Sequence, residues 1–183
     1  MARETLFQLH HLQQNSLKCR GFTLLELIIA MSVMVVLLGA VAPSFSDLIE
    51  RNKIKRLATE IEWLLVHAKS EAVMRGKKVY VKSTAPNIPS RSITTWNISS
   101  SLESGNPVFS VIDANSFSHI LVTNSPKLRK FYFDPIYGKP SANGSYLYSI
   151  GGYKLKTTIY SITGRIYTCF EADSEKLSGY EKC

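Results

Sequence analysis

An apolar run near the N-terminus, residues 22–43, dominates the pattern of the chain and reads FTLLELIIAMSVMVVLLGAVAP. Glu26 is the one charged residue in this run, and no polar face interrupts it. At 1.5 Å per residue, a helix of this length spans roughly 33 Å, which is enough to cross the hydrocarbon core of a bilayer. The pattern therefore predicts a membrane-spanning helix over residues 22–43.

The helical pattern continues beyond this run but becomes amphipathic. Apolar residues recur at steps of three and four, which predicts a helix with one buried stripe over residues 44–76. The stripe comprises Leu57, Ala58, Ile61, Leu64, Leu65, Ala68 and Ala72. Charged residues lie between these positions, and Gly76 is the predicted end of the helix.

From Lys77 onward the period of the pattern changes to two residues, which indicates short strands. We predict strands over residues 77–82, 93–98, 129–134, 146–150, 153–160 and 162–170. Residues 83–92 and 99–107 are rich in Ser, Pro and Asn and are predicted loops. The predicted fold class is α+β, with a long N-terminal helix packed on an antiparallel β meander that forms a head over residues 77–183.

The charges before the apolar run predict its orientation. Arg3, Lys18 and Arg20 precede the run and are offset by one glutamate. Because basic flanks tend to stay in the cytoplasm, we expect a bacterial inner-membrane protein that crosses once, with a cytoplasmic N-terminus and a periplasmic head. The alternative is a secretory signal peptide that is cut near Ser44, after the small residues that end the run.

The string GFTLLE at residues 21–26 resembles the processing site of type IV prepilins. The resemblance implies that a prepilin peptidase removes the leader 1–21 by cutting after Gly21, and that Phe22 becomes an N-methylated N-terminus. It also implies that Glu26 neutralises the N-terminal amine of a neighbouring subunit during filament assembly. An ionised carboxylate within an apolar helix is unfavourable and tends to mark a function, which agrees with that role.

The leader, at 21 residues, is long for a prepilin. The peptide KCRG that follows Leu17 is short and basic, as the usual leader is. We therefore expect translation to begin at Leu17. A precursor that begins at Met1 in a strain without the peptidase would contradict this expectation.

Further segments resemble the GspH/FimT branch of minor pilins and pseudopilins. The run AKSEAVMRG at residues 68–76 is similar to the segment that closes the helix in that family. Phe133 with Gly138, and ITGRI at residues 162–166, are similar to its later strand signatures. The resemblance covers most of residues 21–170 and implies a pilin fold and assembly with other pilins into a type II secretion or type IV pilus filament.

Two of the three cysteines lie in the predicted exported head. Cys19 falls in the leader, whereas Cys169 and Cys183 lie on the side of the membrane where disulfides persist. We predict an intramolecular bridge between these two, which pins the C-terminal segment onto the last predicted strand and contributes about 3 kcal/mol by loop closure. Two free thiols and an intermolecular bridge are the alternatives.

No pattern in the sequence indicates an enzyme. The chain contains no nucleophile elbow, no phosphate-binding loop and no useful pair of carboxylates, since Glu60 and Glu62 fall on different faces of the predicted helix. His67 and His119 are isolated, so no set of metal ligands is grouped. We expect a structural protein without a cofactor.

Positive charge is concentrated in one stretch of the predicted head. Residues 22–183 have a net charge of +6, and residues 127–165 alone account for +6. The candidate DNA or partner patch comprises Lys127, Arg129, Lys130, Lys154, Lys156 and Arg165. Some FimT-like pilins bind DNA for natural transformation through a GRxR motif, which GRIY at residues 164–167 matches in part, so DNA capture is the alternative function. A solvated strand face, or a contact for an acidic neighbouring pilin, is the other interpretation of this patch.

Overall fold

The computed structural model describes residues 22–87, 95–103 and 105–183, with the backbone alone at residues 40–44. The predicted leader, with the cleavage residue Gly21, lies outside the described residues. The first two positions of the second predicted strand, Ile93 and Thr94, also lie outside them. The described residues divide after Ser44 into two compact units.

The first unit contains the beginning of helix α1, which extends over Leu24–Arg75. The helix begins after Thr23, whose Oγ1 accepts a hydrogen bond from the backbone N–H of Glu26 at 3.2 Å. Thr23 is thus the N-cap, with the Thr-x-x-Glu spacing of a capping box, and the predicted start at Phe22 is two residues early. Each side chain from Phe22 to Leu38 is exposed. Among the described residues, no helix combines the length and the hydropathy needed to cross a membrane.

The second unit is a head in which the later part of α1 packs against two β-sheets. Its strands are β1 Val79–Ser83, β2 Asn97–Leu102, β3 Val108–Asp113, β4 Leu121–Asn124, β5 Lys130–Phe133, β6 Gly144–Ile150, β7 Tyr153–Ile159, β8 Ile166–Phe170 and β9 Glu181–Lys182. A four-stranded sheet has the order β3-β2-β1-β5, and a five-stranded sheet has the order β4-β6-β7-β8-β9. All neighbouring strands are antiparallel except β8 and β9, which are parallel.

The predicted apolar stripe of the helix is confirmed. All seven of its residues are fully buried, and Ile54 extends the stripe toward the N-terminus. The stripe forms one core with inward side chains of both sheets, such as Val81, Phe133 and Tyr146. Full burial of a large aliphatic side chain contributes about 1.5–3 kcal/mol, so packing of this stripe supplies much of the stability of the helix within the head.

Gly76 ends the helix as predicted. Its φ of +62° lies in the left-handed region, where glycine has no steric penalty. The N–H of Gly76 donates to the carbonyl of Val73 at 3.3 Å, and the N–H of Lys77 donates to the carbonyl of Ala72 at 3.3 Å. These two bonds form a Schellman motif, which satisfies carbonyls that the helix leaves unpaired.

The topology confirms the α+β class and corrects the single predicted meander. Two sheets form, and the loop prediction for residues 99–107 is wrong at residues 99–102. This serine-rich segment belongs to β2, which pairs with β1 on one side and β3 on the other. The sequence pattern also missed β3, β4 and β9. The strand predicted from Ile162 begins at Ile166, because the preceding residues form a turn in which the N–H of Gly164 donates to the carbonyl of Tyr160 at 2.9 Å.

Candidate assembly and partner-binding surfaces

The N-terminal motif places an acidic residue on the exposed first turn of α1. Phe22 is 69% exposed, and Glu26 lies in the first turn of the helix. A carboxylate in the first turn is favoured by the partial positive charge of the helix N-terminus. The capping role of Thr23 was missed from the sequence, although the Thr-x-x-Glu spacing signals it. Cleavage after Gly21, methylation of Phe22 and the assembly role of Glu26 stay predictions.

Three residues of the GspH/FimT-like signatures meet at one point of the head. Lys69 on the helix donates from Nζ to the carbonyl of Gly164 at 3.2 Å. Gly138 has a φ of +61°, and a Cβ on it would lie 3.1 Å from Cε of Lys69 and 3.2 Å from Cγ2 of Val73. A side chain at position 138 would therefore be both strained and crowded. We name this group, Lys69, Gly138 and Gly164, the lysine latch, because it fastens two turns to helix α1.

The predicted intramolecular disulfide between Cys169 and Cys183 is confirmed. Their Cα atoms are 5.1 Å apart. The bridge joins strand β8 to the residue that follows β9, and the N–H of Cys183 donates to the carbonyl of Phe170 at 3.0 Å. The C-terminal segment is therefore attached to the edge of the five-stranded sheet by one covalent bond and a short strand.

The candidate DNA or partner patch is divided between the two sheets. Lys127 lies in the 3-10 turn Pro126–Leu128, Arg129 follows that turn, and Lys130 begins β5. Lys154 and Lys156 lie on β7, and Arg165 precedes β8. Lys154 pairs with Asp173, and this ammonium lowers the pKa of the Asp173 carboxyl. Lys156 lies 3.9 Å from Glu171. These carboxylates reduce the charge that β7 presents to a polyanion, and DNA binding by the patch stays a prediction.

Arg165 has a different environment, beside two parallel tyrosine rings. Its guanidinium lies 5.2 Å from the centroid of the Tyr167 ring, and the centroids of Tyr167 and Tyr160 are 5.9 Å apart. These side chains line an open cavity of about 660 Å³, together with residues 179–182 of the C-terminal segment. The cavity therefore combines an arginine with exposed aromatic surface.

A second group of cations lies on the outer face of the four-stranded sheet. Tyr80 of β1 is opposite Tyr132 of β5, with ring centroids 5.5 Å apart, and Lys82 is opposite Lys130. Nζ of Lys78 is 4.6 Å from the centroid of the Tyr132 ring, and Nζ of Lys130 is 5.2 Å from that of Tyr80. We name these five residues the lysine–tyrosine face. The sequence pattern predicts both strands, and Lys130 belongs to the candidate patch, but no local pattern shows that β1 pairs with β5 and brings these five residues together.

His67 contacts an aromatic and acidic neighbourhood on the helix. Its ring stacks on Trp63 with centroids 4.8 Å apart, and its Nε2 lies 3.7 Å from Glu71. Within the described ranges, no three His, Cys, Asp or Glu side chains are grouped so as to hold a metal ion.

Two known family models match this chain in consecutive segments. The model described as prokaryotic N-terminal methylation motif matches residues 16–42, which contain the GFTLLE string. The model described as type II transport protein GspH matches residues 57–164, which contain the lysine latch. No curated protein and no solved structure matches the chain. Because the second match covers more than half of the 183 residues, the chain belongs to the family of type II transport protein GspH.

Proposed function

We propose that the protein is a minor pilin or pseudopilin, a structural subunit of a type II secretion or type IV pilus filament. The observation that carries the proposal is the order of the two matched segments, with the methylation motif at residues 16–42 ahead of the GspH segment at residues 57–164. The first segment includes a helix with exposed apolar side chains. Such a surface favours an external partner, which neighbouring subunits or lipid would supply.

The proposed maturation uses the residues at the beginning of the helix. A prepilin peptidase cuts between Gly21 and Phe22, where the missing side chain of glycine lets the backbone lie in a narrow cleft. The amine of Phe22 is then methylated, and Glu26 of one subunit forms a charge-assisted hydrogen bond with the N-terminal amine of the next. We propose an inner-membrane location with the head in the periplasm, where the disulfide is stable.

Mass analysis of the N-terminus, in cells with and without the peptidase, tests this proposal. We expect the mature chain to begin at N-methylated Phe22, and a Gly21→Val variant to keep its leader. A Glu26→Gln variant is the matched control, since it should be processed normally but be absent from sheared filaments. A mature N-terminus near Ser44 would contradict the proposal and support a cleaved signal peptide.

DNA capture is a second candidate function, and the position of Arg165 against Tyr167 and Tyr160 favours it. A guanidinium and tyrosine hydroxyls can contact the phosphates of a duplex. We expect the full chain in detergent to bind duplex DNA with an affinity that falls as salt rises, and Lys154→Glu, Lys156→Glu and Arg165→Glu together to abolish binding. Unchanged mobility of the duplex at low salt would remove this candidate.

A further inference from the structure

We propose that the lysine–tyrosine face binds an acidic, extended segment of a partner protein. The face comprises Lys78, Tyr80, Lys82, Lys130 and Tyr132, all on strands β1 and β5 or directly before β1. This surface lies on the other sheet from Lys154 and Lys156. The inference does not depend on leader processing or on which filament the chain joins.

The first observation is an unbalanced pair of like charges. Lys82 and Lys130 are exposed and directly opposite each other on neighbouring antiparallel strands. Like charges in this arrangement destabilise a sheet. Lys78, Lys82 and Lys130 form no ion pair within the described part of the chain, whereas Lys154 and Lys156 each lie beside a carboxylate. An anion supplied by a partner would relieve this repulsion.

The second observation is that the face already binds one carboxylate of its own chain. The hydroxyl of Tyr80 donates to Oε1 of Glu103 at 3.0 Å. This hydrogen bond raises the pKa of Tyr80 above its ordinary value, because the carboxylate favours the protonated hydroxyl. Among the described residues, the hydroxyl of Tyr132 donates to no carboxylate. Tyr132 therefore offers a second donor of the same kind to an incoming acidic side chain.

The third observation is the match between the spacing of the face and that of an extended peptide. Residues 78, 80 and 82 point to one side at steps of two residues, while Val79 and Val81 are buried on the other. An extended peptide repeats its own side chains at the same interval of about 6.8 Å. Carboxylates at every second position of a partner segment would therefore meet successive donors.

The peptide would lie across the face and would not extend the sheet. The outer edge of β5 is already covered, because the N–H of Ser141 donates to the carbonyl of Tyr132 at 2.8 Å. The N–H of Tyr132 also donates to Oγ of Ser141 at 3.0 Å. Recognition would thus depend on side-chain charge, and not on backbone pairing at this edge.

An acidic peptide fits this face better than a nucleic acid does. Sites for single strands use the faces of aromatic rings to stack bases. Here an ammonium lies over each ring, at 4.6 Å for Tyr132 and 5.2 Å for Tyr80. Affinity for duplex DNA comes largely from cations that contact its phosphates, and this face has three lysines. Because the face has positive charge but little free ring surface, carboxylates are its favoured ligand.

Fluorescence anisotropy with the purified full chain in detergent tests the proposal. The probe is a labelled peptide of six Glu-Ser repeats, and a peptide of six Lys-Ser repeats is its charge control. We expect the Lys82→Gln, Lys130→Gln double variant to bind the acidic probe about tenfold more weakly. The matched control is Lys154→Gln with Lys156→Gln, which removes the same charge from the other sheet and should change the affinity less than about twofold.

Three results would overturn the proposal. The first is an equal loss of affinity in both double variants, which would indicate unspecific attraction. The second is tighter binding of a seven-nucleotide single strand, which has the same number of charges as the acidic probe. The third is equal binding of the basic peptide. The Gly21→Val variant should bind the probe as the wild type does, so failed processing is distinguishable from a failed binding site. The thermal midpoint of the Lys82→Gln, Lys130→Gln variant is measured as well. A midpoint no lower than that of the wild type confirms that this variant is folded.

Discussion

Helix α1 contains two apolar segments in opposite environments. Residues 24–38 have every side chain exposed, whereas residues 54–72 bury one complete stripe within the head. The first segment is apolar around its whole circumference, and the second is apolar on one side. The two sheets of the head cover one side of the helix, so the apolar stripe of the second segment is buried by its own chain. A helix that is apolar all round is typical of surroundings made by lipid or by other helices.

The largest expected effect is the difference in the free energy of unfolding between a leucine substitution in the second segment and one in the first. Leu64→Ala removes a fully buried side chain, and we expect it to lower the free energy of unfolding of the head by about 2–5 kcal/mol. Leu27→Ala removes a side chain that is 51% exposed and should leave this free energy unchanged. Chemical denaturation of both variants in detergent measures the difference. Equal destabilisation would show that both segments are packed by the same head.

The next largest expected effect on stability comes from the disulfide between Cys169 and Cys183. Cys183→Ser opens the bridge between residues 14 apart in sequence, and we expect a loss of about 3 kcal/mol in the free energy of unfolding. Wild-type protein treated with a reductant is the control and should lose the same amount. A variant as stable as the oxidised wild type would mean that strand β9 holds the segment without the bridge.

Substitution within the lysine latch tests whether contacts with Lys69 stabilise the C-terminal part of the second segment. Gly138→Ala puts a methyl group against Lys69 at a positive φ, and we expect a loss of about 1–2 kcal/mol in the free energy of unfolding. Gly105 also has a positive φ but has open space around its Cβ position, so Gly105→Ala reports the backbone strain alone. The difference between the thermal midpoints of the two variants measures the crowding. Equal midpoints would contradict the latch.

The N-cap offers a smaller and local effect. Thr23→Ala removes the hydroxyl that accepts a hydrogen bond from the backbone N–H of Glu26, and we expect about 1 kcal/mol less stability in the first turn of α1. Amide hydrogen exchange should become faster at the beginning of the helix and stay unchanged in residues 54–72. Thr23→Ser keeps the cap and is the control. Faster exchange in both segments would show that they unfold as one unit.

The smallest effect concerns the alkaline limit of stability. The hydroxyl of Tyr153 donates to Oδ1 of Asp47 at 2.8 Å, which raises the pKa of Tyr153 to about 12. Because the folded pKa is higher than the unfolded value of about 10, this stabilisation is complete below pH 10 and is lost as the pH rises through 12. Unfolding midpoints of Tyr153→Phe should therefore fall less steeply than those of the wild type in this window. Parallel curves would contradict this assignment.

The features that depend on local period could be predicted from the sequence. The buried stripe from Leu57 to Ala72 follows from spacing on a helix, and the end at Gly76 follows from the conformational freedom of glycine. The bridge from Cys169 to Cys183 followed from the predicted compartment and the short separation of the two residues. Each of these inferences uses residues that are close in sequence.

The features that depend on long-range pairing could not be predicted in this way. Residues 99–102 form the end of a strand because β1 and β3 lie on either side, although their composition suggests a loop. The lysine–tyrosine face exists because β1 pairs with β5, which places Tyr80 beside Tyr132 and Lys82 beside Lys130. No local pattern specifies that register. The same reason explains why the candidate patch was grouped by sequence position, while its members lie on two sheets.

The lysine latch has a further consequence for the design of the head. Its two glycines contact Lys69 of the helix, whereas Tyr80 and Lys82 alternate with the buried Val79 and Val81 and face outward. The residues that pack these turns on the helix are therefore different from the residues that determine the chemistry of the outer surface. An engineer who replaced the outward side chains of β1 and β5 would obtain a module with a new binding preference and the same scaffold.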